Sequence, residues 1–300
     1  MARKRDVIIG VIIAVVFVMA LGVFGLMFVG LLSQGSDLDF AGLGGNVGLV
    51  EVNGVIDETS GREVIKTLEK YDENSSIKAI VLHVNSPGGG VAISQEIYDE
   101  IKRVRVDKPV VASMASVAAS GGYYISCGAD RIIANPGTLT GSIGVIFEFH
   151  TFKGLMDKVG IGTETVKSGE LKDVGTYSRP MTEEEGLMLR SVVMDTYEQF
   201  VQVVADGRGK SPEDIYPLAD GSVYTGLQAY NLGLVDTLGG LKEAVDLAAN
   251  LAGVTGEPKL VRQTDRKKVS IFDLLGNVSN VVNTSIDKSM SGPQLMFLYR

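Results

Sequence analysis

The chain is short of the residues that build covalent or metal-bound scaffolds. Cys127 is its single cysteine, so no intrachain disulfide can form. Two histidines, His83 and His150, are too few for a multi-histidine metal centre, and no metal or other cofactor is expected. These shortages argue against a disulfide-stapled domain and against a zinc enzyme. Positive charge is also scarce: 28 basic against 36 acidic residues give a net charge of -8 and a pI near 5.0. Phosphate binding needs a basic surface, so nucleic acid is not expected as the main partner. What is abundant is apolar, with 45% hydrophobic and 21% charged residues, a balance incompatible with wholesale disorder. Three hundred residues suffice for one large domain or two small ones.

The high mean hydropathy of +0.20 has a local cause. From 7 to 32 there is no charge, only aliphatics, Phe, Met and four glycines. A helix rising ~1.5 Å per residue would carry that run ~39 Å, beyond the ~30 Å of a bilayer's hydrocarbon core. Cleavable signal peptides have shorter apolar cores, and no small-x-small site clearly ends this one. The expectation is an uncleaved single-pass transmembrane anchor at 7–32 behind a basic N-terminus at 1–6, containing Arg3, Lys4 and Arg5. The positive-inside rule then keeps the N-terminus cytoplasmic and sends the rest of the chain out of the cytoplasm.

Residues 33–45, rich in Ser, Gly and Asp, read as a linker. Beyond them, apolar runs alternate with amphipathic patterns. Strands are expected at 47–52, 77–84, 109–112, 131–134, 143–147 and 163–166. Helices are expected through Val64, Leu68 and Tyr71, through Ile93, Ile97, Ile101 and Val104, and at 118–127, 152–158, 182–205 and 241–251. Thr182 with Glu185 three residues on is a capping box. The alternation predicts one α/β domain over 46–253, followed by a polar tail at 254–300 with apolar islands at 271–275 and 295–299.

Two clusters of small residues could carry chemistry. Asn85-Ser86-Pro87-Gly88-Gly89-Gly90 ends a buried strand, where open α/β sheets place ligands and where glycine N–H groups can cradle an anion. It lacks the Gly-Lys-Ser/Thr ending of a phosphate loop, and a plain sharp turn reads equally well. Ala118-Ala119-Ser120-Gly121-Gly122-Tyr123-Tyr124 sets a serine among small neighbours that let a substrate carbonyl approach, although close helix–sheet packing uses such residues too. Neither histidine offers triad logic: His83 lies within a strand, and His150 sits among Phe147, Phe149 and Phe152. A lysine can replace histidine as base when desolvation lowers its pKa. Lys167 and Lys172 both lie in Lys167-Ser168-Gly169-Glu170-Leu171-Lys172-Asp173, and spacing alone does not choose between them.

Together with Thr140-Gly141-Ser142-Ile143-Gly144-Val145, these motifs occur in an order that resembles the signal peptide peptidase A (protease IV) family, in its short single-repeat form. The resemblance covers roughly 46–250. It implies a Clp-protease/crotonase-like α/β fold built on ββα repeats and a serine endopeptidase with a Ser–Lys dyad. By that resemblance Ser120 is the nucleophile, Lys172 the general base, Ser142 the residue orienting the base, and the N–H groups of Gly89 and Gly121 the oxyanion hole. Ala115-Ser116-Val117 departs from the family's frequent Gly-x-Met, a change at the substrate pocket.

The resemblance further implies hydrophobic peptides as substrates, chiefly released signal peptides, and a homo-oligomeric ring that brings the catalytic parts together. A lysine base predicts activity that rises with pH. Two other functions share this fold: a non-catalytic membrane scaffold and an acyl-CoA thioester enzyme. The presence of both Ser120 and Lys172 weighs against the scaffold. An extracytoplasmic location, without CoA, weighs against the thioester enzyme. The tail segment 295–299 is apolar enough to resemble a bound peptide, or else a docking strand.

Overall fold

A computed structural model describes residues 46–262 and 296–298. The anchor expected at 7–32 and most of the tail lie outside the described residues. Among the described residues no helix is long and apolar enough to cross a membrane.

The chain begins with β1 (Val47–Asn53), α1 (Glu58–Glu73), β2 (Ala79–Ser86), the three-residue β3 (Gly88–Gly90) and α2 (Val91–Val104). It continues through β4 (Val110–Ala119), the short α3 (Gly121–Ser126), β5 (Arg131–Ala134) and β6 (Leu139–Gly141). Next come α4 (Lys153–Val159), a 3-10 turn at Glu170–Asp173, the long α5 (Glu183–Arg208) and the single turn α6 (Pro212–Ile215). Then follow β7 (Val223–Thr225), α7 (Gly226–Asn231), β8 (Thr237–Leu238), α8 (Leu241–Leu251), β9 (Leu260–Arg262) and, late in the tail, β10 (Met296–Leu298).

Eight strands form one mixed sheet along the path β7-β6-β4-β2-β1-β9, with β5 beside β4 and β8 beside β5. Its pairings are parallel apart from β6 with β7. Val81 and Leu82 are both fully buried because helices cover both faces of the sheet, the usual state of a parallel one. On one face α8 seats Ala244, Val245, Ala248 and Ala249 against Leu49, Val81, Val111 and Ile133. On the other, α1 contributes Val64, Leu68 and Tyr71, and α2 contributes Ile97, Ile101 and Val104, to the larger core. Their spacing of three and four residues lines one side of each helix.

Several expected elements shift. The strand expected at 109–112 runs on to Ala119, so Ala118 and Ala119 belong to β4 and the following helix starts at Gly121. Small size had suggested helix there, but Thr140 Oγ1 bonded to the Ala118 carbonyl (2.7 Å) and pairing with β6 keep the backbone extended. No strand forms at 143–147 or 163–166; the pairing segment is Leu139–Gly141. Neither stretch forms a strand of the sheet: Ile146 makes only a single-residue bridge, and 163–166 is exposed irregular chain. Lys172 therefore sits on a 3-10 turn. At 260–262 the tail adds strand β9 to the sheet edge beside β1.

Candidate active site

Four of the five expected site residues converge where β3, β4 and β6 end. Ser120 follows β4 directly, is 1% exposed and has φ 51, ψ -115. Ser142 follows β6 with φ 50. These two serines are the only non-glycine residues at positive φ among the described residues. Strain of this kind costs of order 1–3 kcal/mol and collects at functional sites. The β4–β6 register brings the pair together: Ala119 faces Gly141, and the Ser120 N–H donates to the Gly141 carbonyl (2.8 Å). Ser142 N–H is held in turn by the Ser222 carbonyl (2.7 Å).

The glycine strand lies against the start of α3. The Gly88 carbonyl accepts from Ile56 N–H and the Gly90 N–H donates to the Ile56 carbonyl, both at 2.9 Å. In a pleated strand the intervening residue points its polar groups the other way, so Gly89 N–H faces the opposite edge. A Cβ on Gly121 would stand 3.1 Å from Gly89 N, which measures how closely the two segments approach. Gly88, at φ +106, tolerates no side chain: a Cβ there would overlap the Phe297 carbonyl oxygen and lie 2.7 Å from Gly121 N. Ser86 Oγ accepts from Gly88 N–H (3.0 Å), and Ser94 Oγ donates to the Gly90 carbonyl (2.8 Å), pinning both ends of the strand.

The free edge of β3 is occupied by the chain itself. Strand β10 pairs with it antiparallel, Phe297 opposite Gly89. Phe297 is fully buried, its ring stacked on Tyr124 (centroids 4.9 Å apart) and tilted against Phe200 (4.6 Å). Tyr98 closes the box by an edge contact with Tyr124 (5.4 Å). Of the two readings of 295–299, a docked strand is what β10 forms, along the edge of Gly88–Gly90. Tyr98 and Phe200 gave no sequence signal as pocket residues, because an aromatic at helical spacing reads as ordinary core.

Lys172 stands apart. Its side chain is exposed, and among the described residues no hydrogen bond or ion pair joins it to Ser120 or Ser142. Lys167 is engaged instead: its Nζ lies 2.9 Å from Asp173 Oδ1 and 2.7 Å from the Glu170 carbonyl. The bond to Asp173 raises its pKa above the ordinary lysine value, which favours the ammonium over a free base. His83 is half-buried, with Nδ1 3.3 Å from Ser113 Oγ, and burial lowers its pKa. His150 is exposed beside Glu148. Burial pushes the Cys127 thiol up to about 12, so it is a core residue rather than a nucleophile.

A strained, buried serine between glycine segments, with its residues in this order, can be compared directly with known proteins. The family model described as peptidase family S49 matches residues 102–255, and that described as Clp protease matches 46–137. The chain belongs to peptidase family S49. It is therefore a protease on a Clp protease-like α/β fold with a mixed sheet, and the resemblance to signal peptide peptidase A holds at the level of family. A Synechocystis protein named "Putative protease slr0021" is 39% identical over 84% of this chain and 95% of its own length. Protease 4 of Haemophilus influenzae is 37% identical over 68% of this chain but only 34% of its own length. Serine protease SPPA, chloroplastic, of Arabidopsis thaliana is 33% identical over 77% of this chain and 34% of its own. The S49 chain described above thus spans about a third of the two longer relatives.

Proposed function

We propose that this protease hydrolyses apolar peptides through an acyl-enzyme on Ser120, with Lys172 of a second copy as general base. The observation that carries the reading is strand β10, an extended segment lying antiparallel on Gly88–Gly90 with Phe297 in an aromatic box. A peptide substrate bound the same way adds a strand to β3 through backbone bonds and presents alternate side chains to pockets. Its carbonyl then approaches Ser120 Oγ. Lys172 takes the hydroxyl proton, Ser142 orients the amine, and the N–H groups of Gly89 and Gly121 hold the oxyanion at roughly 3 kcal/mol per donor. The lysine returns the proton to the leaving amine, and water hydrolyses the ester.

Assembly from two copies accounts for the position of the base. Between Ile143 and Glu185 no residue is buried, although Phe152, Leu155, Val159, Ile161 and Val166 lie exposed there. A second copy that covers this apolar segment removes Lys172 from water, which a lysine base requires. The uncharged run at 7–32 behind Arg3, Lys4 and Arg5 supports a single-pass anchor with the catalytic domain outside the cytoplasm. Released signal peptides at the bilayer surface are the matching substrates.

The test uses the full-length enzyme in detergent with a released hydrophobic signal peptide. Ser120→Ala and Lys172→Ala are expected to lose turnover by about 10⁴-fold or more, while Lys167→Ala stays within a few-fold of wild type. Wild-type cleavage by Ser120→Ala would assign the nucleophile to another residue.

A further inference from the structure

The turn that carries Lys172 is not held by packing. It spans Glu170–Asp173 with no buried residue and no side-chain cap. What fixes it is charge. Arg179 Nη2 and Nε donate to Asp173 Oδ1 (2.9 Å) and Oδ2 (3.2 Å), gripping the residue next to Lys172. Lys167 Nζ reaches the same Oδ1 from the other side. The guanidinium also donates to both oxygens of Glu185, Nη1 to Oε2 at 2.9 Å and Nη2 to Oε1. Glu185 is 98% out of solvent by its 2% side-chain exposure, and its Oε2 caps α5 by accepting from Thr182 N–H (2.8 Å). Helix α5 in turn plants Phe200 in the aromatic box around Phe297.

We propose that Arg179 is a positioning residue for the base: through Asp173 it locks the Lys172 turn onto the rigid start of α5, so that the amine is delivered at a fixed place. The inference rests on Lys172 being the base. Arg179 uses a planar fork on each carboxylate, a fit that an ammonium cannot reproduce. Asp173 is occupied by Arg179 and Lys167, which leaves Lys172, one residue earlier on the same turn, as the lysine free to leave the chain's surface. A base displaced by about 1 Å costs on the order of 100-fold in rate without weakening substrate binding.

The experiment compares wild type, Arg179→Ala, Arg179→Lys and Lys172→Ala in the full-length enzyme, together with Arg103→Ala as a control. Arg103 makes a similar two-carboxylate bridge, to Asp72 and Glu100, away from the Lys172 turn. Cleavage of the signal peptide and the pH dependence of Ser120 acylation by a fluorophosphonate are both read. Arg179→Ala is expected to lower kcat roughly 30- to 100-fold with KM within about 3-fold, and to flatten the rise of acylation with pH. Arg179→Lys should recover part of the loss, and Arg103→Ala should match wild type. Wild-type kcat in Arg179→Ala, with Lys172→Ala inactive, overturns the positioning role and leaves the dyad standing. An active Lys172→Ala overturns the dyad itself. Should Arg179→Ala fail to fold by circular dichroism, Arg179→Lys decides: a kcat equal to wild type at unchanged KM overturns the proposal.

Discussion

The groove beside Ser120 and the segment at 144–184 are assembled from the same kinds of residue by opposite means. Around Ser120 the chain is immobilised by backbone: β4 is paired on both edges, Gly88–Gly90 is clamped between Ile56 and β10, and Tyr123, Ile125 and Phe297 are fully buried. The segment at 144–184 holds Phe152, Leu155, Ile161 and Val166 and buries no residue. Beside a few backbone bonds such as Phe152 N–H to the Tyr177 carbonyl (2.8 Å) and the Phe147–Phe149 ring contact, its side chains are tied by ion pairs and a capping box, at Lys153–Asp157, Lys167–Asp173 and Arg179–Glu185–Thr182. A nucleophile and oxyanion donors need positions set to fractions of an ångström, which a sheet supplies. In the proposed two-copy site the base comes from a second chain, which needs a surface on which to dock, and exposed apolar side chains can supply one.

The sharpest way to break this contrast is to put the two regions on different molecules. Ser120→Ala retains an intact 144–184 segment, and Lys172→Ala retains an intact groove. Each should be inactive alone. Mixed and allowed to reassemble in detergent, they should recover measurable peptide cleavage, because some sites then pair a wild-type Ser120 with a wild-type Lys172. Absence of any recovery, with exchange of copies verified by differently tagged chains, would place both residues of the dyad within one chain.

A second comparison uses one substitution in each region. Gly88→Ala forces a Cβ onto the Phe297 carbonyl at φ +106, so it should distort β3 and lower kcat/KM about 100-fold. Gly154, inside α4, has open space around it and an ordinary φ. Gly154→Ala should leave kcat/KM unchanged and stabilise the helix by roughly 0.5–1 kcal/mol. Equal losses in both variants would mean that the groove is no more tightly constrained than the exposed segment.

The same contrast explains what could be read from the sequence. Elements with a buried stripe were legible: α8 has the bounds 241–251 that its pattern gave, and Thr182 caps α5 as its spacing with Glu185 required. The strands at 143–147 and 163–166 were misread because a run of β-branched residues marks strand propensity without marking a strand to pair with: Ile143 is buried as an irregular core residue, while 163–166 is exposed throughout. Gly89, Ser120, Gly121 and Ser142 were legible as a group through motif order. Their meeting depends on the register of Ala119 with Gly141, and pairing between distant strands leaves no local mark. Neither Phe297 nor Arg179 could be assigned a place. A phenylalanine in an apolar island and an arginine before a proline are each compatible with any exposed or docked position.

The smallest effect expected is an acid transition confined to the exposed segment. Arg179, and then Lys167, hold the Asp173 carboxyl at about 2, and Arg179 with the Thr182 N–H holds Glu185 at about 2. Unfolded carboxyls titrate near 4, so both groups stabilise the folded arrangement above that pH and lose their contribution as pH falls through about 2. The two carboxyls do not titrate in the alkaline range where a lysine base would act, and the bond to Asp173 raises the Lys167 pKa above the ordinary lysine value. Between pH 4 and 2 the turn at Glu170–Asp173 should release from α5, while the groove, held by burial and backbone bonds, should not change. Pepsin works across this range and can report the difference. Normalised to its rate on an unfolded standard, nicking within 144–184 should increase several-fold from pH 4 to pH 2 in wild type. Arg179→Ala, already released, should be nicked equally at both. Nicking that rises as steeply in the variant as in wild type would mean that the segment is opened by some other protonation, and that charge on Arg179 is not what ties the Lys172 turn down.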